Sequence, residues 1–159
     1  MVTTMSEAEA AYVEKIAGLL VGAGLPRIAG RMWAWLLICD PPQQSAADLA
    51  EALHASRGSI SSAARLLTTA GLLHRTSRRG DRREFFSVPE GAVISVLNSR
   101  LPVTVAWRQV ADEGLTLLAD RPPEHRTRIQ EVRDVYAFME RELPAMLDRF
   151  MAQRRDKTA

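Results

Sequence analysis

Between Ser45 and Val88 the chain places two serine helix starts so close together that only one short helix and a tight corner fit between them. Ser45 stands three residues before Asp48, the spacing of a capping box with Asp in place of the usual Glu or Gln. Leu49 and Leu53 then share one face at i,i+4, and the helix should end near His54. Ser56 supplies the next N-cap almost at once. Two helices joined by so little chain must cross steeply, which predicts a helix-turn-helix.

The second helix of the pair divides into two faces. Ile60, Ala63, Ala64 and Leu67 repeat at helical spacing and should pack inward. Arg57, Ser59, Ser61, Ser62 and Arg65 point outward, concentrated toward the start of the helix, where Gly58 adds no bulk. Small hydroxyls and guanidiniums there would let the face approach base edges in a major groove, and the helix N-terminus adds partial positive charge. The bland alternative is a solvated, serine-rich surface helix.

A hairpin follows. Gly71 is a natural helix stop, Leu72 and Leu73 begin a strand, and Phe85 to Val88 read as the returning strand. Between them runs Ser77-Arg-Arg-Gly-Asp-Arg-Arg83, with Gly80-Asp81 as the turn signal. Arg75, Arg78, Arg79, Arg82 and Arg83 crowd this element against Asp81 and Glu84. Such a tip repels itself in isolation, so a polyanion is the economical partner. In an extended strand Asp81 and Arg83 fall on the same side, so the carboxylate would steady Arg83 toward a minor groove. Arg78, Arg79, Arg82 and Arg83 are therefore expected to hold backbone and minor groove. The fold class that results is mainly α with a small antiparallel β-hairpin: a winged helix-turn-helix over residues 45–88 that binds double-stranded DNA.

With these residues in view, the stretch from Ser56 to Arg83 resembles the MarR family of transcriptional regulators. The Gly80-Asp81-Arg82-Arg83 wing followed by aromatics is most similar to the GbsR-like subgroup, as is Gly24 to Leu53. The resemblance spans roughly residues 10 to 150 and is specific only in the centre. It implies an all-helical dimer with a small winged sheet, operator binding in the cytoplasm and, often, repression released by a small molecule.

Length and charge agree with one regulator domain over residues 1–159. The formal net charge is only +2, so the basicity is local and suits a shaped site better than general coating of anions. One cysteine, Cys39, excludes an intrachain disulfide. Its neighbours Leu36, Leu37 and Ile38 mark it as a buried small hydrophobe, with oxidation sensing as the lesser alternative. The apolar run Trp33 to Ile38 is far too short to span a bilayer, and the start lacks the cationic segment of a signal peptide. No membrane partner and a cytoplasmic location are expected. His54, His74 and His125 are widely spaced, no G-x-S-x-G occurs, and the Gly18, Gly22 and Gly24 cluster follows no strand. Neither cofactor, metal nor enzymatic activity is expected.

The flanks read as dimerisation helices over 6–22 and 123–153. Ser6 and Glu9 form a capping box ahead of Tyr12, Val13, Ile16, Leu19 and Leu20. After Pro122-Pro123, Ile129, Val132, Tyr136, Met139, Leu143, Met146 and Phe150 alternate three and four apart, the spacing of a coiled-coil seam. Pairing with a second copy would present two recognition helices and two wings to a palindromic operator. Pro144 should kink this helix, and Pro102 should bend or split the preceding helical stretch from Glu90 to Ala119. There Trp107, Val110, Leu115 and Leu118 are expected inward. A further helix from Ile28 to Cys39, apolar almost all round, should be central. Trp33, Trp107, Tyr136 and Met139 would suit a pocket for a small hydrophobic effector, or else pack core and interface; both readings stay open. A rival for the whole chain is a winged-helix protein–protein module whose basic hairpin docks an acidic partner.

Overall fold

Serine hydroxyls cap the starts of three helices in this chain. The computed structural model describes residues 5–77, 80 and 83–158. Helix α1 runs from Glu7 to Gly22, with the Ser6 side chain accepting from the Glu9 N–H and the Glu9 carboxylate accepting from the Ser6 N–H. Helix α2 spans Arg27–Leu36, strand β1 Gln44–Ser45, helix α3 Ala46–Ala52 and helix α4 Arg57–Thr69. Strands β2 (His74–Ser77) and β3 (Glu84–Ser87) follow, then helices α5 (Ala92–Asn98), α6 (Leu101–Leu117) and α7 (Pro123–Thr158). The chain divides into two compact units, Met1–Val93 and Ile94–Ala159.

In the first unit, Ser45 caps α3 in a full capping box with Asp48, as the spacing predicts. Helices α3 and α4 then end alike. Ala55 N–H donates to Ala50 O and His54 N–H to Glu51 O, while Leu72 N–H donates to Leu67 O and Gly71 N–H to Thr68 O. Both sets are Schellman caps, which require one left-handed residue. Gly71 takes that role at φ 74° and His54 at φ 48°. A histidine there is uncommon, and it ends α3 at Ala52, slightly before the expected His54.

The core of this unit is built on Trp35, Met32, Leu49, Leu53, Ile60, Leu67 and Val13, all fully buried. Helix α2 is shorter and more one-sided than its composition suggests. It stops at Leu36 instead of Cys39, Leu37 is exposed and Trp33 is only partly buried. It meets α1 at Gly30, where a Cβ would lie 2.9 Å from the Ala17 Cα, so only glycine allows the two backbones this close. The hairpin gains a strand that the sequence did not announce. β1 pairs antiparallel with β3, Ser45 opposite Phe85 and Gln44 opposite Phe86, giving the order β1-β3-β2.

The second unit is built on α6 and α7. Pro102 sits in the first turn of α6, where its missing N–H has no partner to lose, so the proline splits α5 from α6 as expected. Two of the four residues expected inward are corrected: Trp107 and Val110 are 50% and 57% exposed, while Leu115 and Leu118 are half-buried and Thr104 and Ala111 are buried. Small residues win that face because α7 approaches closely, with Ile129 Cγ1 3.1 Å from where a Gly114 Cβ would stand. Arg108 reaches across from α6 to Glu140 of α7 and bonds Asp112 at 2.6 Å, and Arg133 of α7 returns to Asp112 at 3.1 Å. These opposed pairings make α6 and α7 antiparallel. Helix α7 extends to Thr158, beyond the expected limit at 153, and carries Pro144 within it.

Candidate nucleic-acid interface

The start of α4 is fixed by its own serines. Ser59 N–H donates to the Ser56 hydroxyl at 3.1 Å, and the two hydroxyls lie 2.9 Å apart. Ser59 therefore serves the cap network as well as the outer surface, a use the outward-facing pattern did not reveal. Ile60, Ala63, Ala64 and Leu67 are buried, and Arg57, Ser59, Ser61, Ser62 and Arg65 are exposed. The predicted division of this helix is the observed one.

The wing is placed by its aromatics. Phe86 is buried in the core of the first unit, and its neighbour Phe85, on the opposite sheet face, is buried as well. The Arg83 guanidinium lies over the Phe85 ring, 5.3 Å from its centroid, in cation–π range. Arg78, Arg79 and Arg82, with Asp81, lie outside the described residues.

Recognition helix and wing meet at one cleft of about 310 Å³. Ser61, Arg65 and Thr69 of α4 form one wall, and Arg75, Glu84 and Phe86 of the sheet form the other. Arg75 is paired with Glu84 across the strands, Nη1 to Oε1 at 2.9 Å. In the sequence Arg75 and Glu84 are only part of a charged cluster; the register that sets them diagonally on one face comes from the pairing of Arg75 with Phe86 and Ser77 with Glu84.

The residues suggested for an effector pocket do not form a single cluster within either unit. Trp33 belongs to the first unit, where it packs partly against the core. In the second unit Trp107 and Tyr136 stack, ring centroids 5.5 Å apart and planes 11° from parallel. Trp107 also lines an open apolar groove of about 380 Å³ along α6 with Pro102, Val103, Ala106 and Val110. Met139 is 39% exposed on α7. Cys39 is buried, its thiol donates to Pro41 O at 3.4 Å, and burial pushes its pKa up to about 11. Among the described residues no group of His, Cys, Asp and Glu is arranged to hold a metal ion, and no helix is long and apolar enough to cross a membrane.

Known proteins resemble this chain along most of its length. Residues 24–84 match the MarR family, and residues 91–153 match the MmpR5-like MarR family transcriptional regulators. The HTH-type transcriptional regulator MmpR5 of Mycobacterium tuberculosis (strain ATCC 25618 / H37Rv) is 39% identical over 139 residues, 87% of this chain and 84% of that protein. A crystal structure of a transcriptional regulator, 37% identical, superposes with a TM-score of 0.76 over 91% of this chain and 99% of that one.

Proposed function

The chain belongs to the MarR family of transcriptional regulators, among its MmpR5-like members, and on that premise we propose that it is a homodimeric repressor of a palindromic operator. One observation carries the reading: Ser61 and Arg65 on the exposed face of α4 and Arg75 of the wing hairpin border the same cleft, so one duplex can engage both elements. Arg57, Ser59, Ser61, Ser62 and Arg65 enter the major groove. Arg83, with Arg78, Arg79 and Arg82 beyond the described residues, holds backbone and minor groove. The GbsR-like subgroup is supported by the wing sequence Gly80-Asp81-Arg82-Arg83 and the Phe85-Phe86 that follows.

Pairing of two copies through the terminal helices is supported by α7, which exposes Val135, Phe138, Met139, Met146 and Phe150. A two-fold pair would set two recognition helices one helical turn apart. A small hydrophobic effector is supported by the apolar groove at Trp107 and by the Trp33 indole N–H, which is buried without an acceptor among the described residues. A regulator of this kind works without catalysis, in the cytoplasm.

The test is a gel-shift titration of the purified chain on a duplex from its own promoter region against random DNA, repeated across a salt series. The expected result is preference for the promoter duplex and affinity that falls steeply with salt as phosphates release counterions. Equal affinity for both duplexes would make the chain an architectural binder. No shift at all, with capture of an acidic protein, would favour the protein-docking module.

A further inference from the structure

The base of the wing carries a carboxylate where a surface meant for DNA has no need of one. Glu84 opens β3 and lies on the same sheet face as Arg75 and Phe86. Its Oε1 holds Arg75 Nη1 at 2.9 Å, with the two side chains 53% and 59% exposed. An ion pair this open adds little to stability, so stability does not account for the placement. Both residues line the cleft that faces Ser61, Arg65 and Thr69 of α4.

The position of that cleft gives the pair a use. A recognition helix enters the major groove and a wing enters the neighbouring minor groove, so the sugar-phosphate strand between the grooves passes between helix and wing. Building on the operator-binding reading, we propose that the cleft seats one backbone phosphate between Arg65 and Arg75. Glu84 occupies Arg75 in the free protein as an internal substitute for that phosphate, and the duplex displaces it. Carboxylate and phosphodiester oxygens offer a guanidinium the same acceptor geometry, so the exchange swaps one charge-assisted bond for another. Displacing Glu84 gives up its bond to Arg75, so the pair opposes binding only while both residues are present. Glu84 therefore lowers the affinity for every duplex alike, since phosphate contacts carry no sequence information.

The test compares the full chain with Arg75→Gln, Arg75→Lys, Glu84→Gln and the Arg75→Gln/Glu84→Gln double variant, by fluorescence anisotropy on the promoter duplex and on random DNA across a salt series. Arg75→Gln should weaken binding about tenfold and make the slope of log K against log salt shallower by about 0.9, the loss of one phosphate contact. Arg75→Lys should keep the slope. Glu84→Gln should tighten both duplexes by a similar factor of about three to ten, and that gain should vanish in the double variant. Unchanged affinity and slope for Arg75→Gln would overturn the phosphate seat while leaving operator binding intact. A Glu84→Gln gain that survives without Arg75 would overturn the displacement. A wild-type chain that binds neither duplex would overturn the operator reading and this inference with it.

Discussion

Ser45 pairs across the sheet with Phe85 while its hydroxyl accepts from the Asp48 N–H at 3.2 Å, so one residue joins the inner edge of the wing to the first helix of the DNA-binding motif. The Ser45 N–H in turn donates to the Asp48 carboxylate at 2.9 Å. The wing is thereby anchored to the helix pair through the middle of β3.

Removing that anchor has a defined effect. Ser45→Ala deletes a buried cap and should lower stability by about 1–2 kcal/mol, read as a lower urea midpoint with unchanged m-value. A midpoint equal to wild type would remove the cap from the account of the fold.

Gly30 governs how closely α1 and α2 approach. Gly30→Ala places a methyl group 2.9 Å from the Ala17 backbone and should destabilise by about 1–3 kcal/mol through forced separation of the helices. Thermal melting monitored by circular dichroism checks it, and a gain in stability from better helix propensity would show that the helices separate without penalty.

Cys39 should behave as a packing group. Its folded pKa of about 11 lies above its ordinary 9.0, so the unfolded chain gives up the thiol proton first. Stability from this group is complete below about pH 9 and is lost as pH rises toward 11. In the native protein at pH 8 a thiol reagent should react only as fast as the first unit opens, and rapid labelling would restore the oxidation-sensor reading.

The apolar face of α7 should hold the two copies together. Met146, 47% exposed, can become Glu without disturbing the fold of its own chain. Sedimentation should show Met146→Glu shifted toward monomer with its helical content intact, and an unaltered dimer would move the interface elsewhere.

How much of this was legible follows from where each signal is stored. The capping boxes at Ser6 and Ser45, the Ser56 cap, the two-faced α4 and the split at Pro102 were readable because each depends on residues within one or two turns. Strand β1 was not, because two residues have no periodicity and Gln44–Ser45 becomes a strand only by pairing with the distant Phe85 and Phe86. The inner face of α6 does not follow hydrophobicity. Close approach to α7 selects Thr104, Ala111 and Gly114 by size, while Arg108 reaches out to Glu140 by charge. The bulky Trp107 and Val110 are left half exposed. The interface residues on α4 were legible as a surface, but the cleft was not, since the diagonal of Arg75 and Glu84 depends on strand register.

Recognition helix and wing should engage one duplex together. The measurement is the operator affinity of Arg65→Ala, on α4, and of Arg83→Ala, at the wing, each confirmed to keep the wild-type mass in solution. Each substitution should weaken binding by about 1–3 kcal/mol. If either variant binds the operator as tightly as wild type, the shared surface is contradicted.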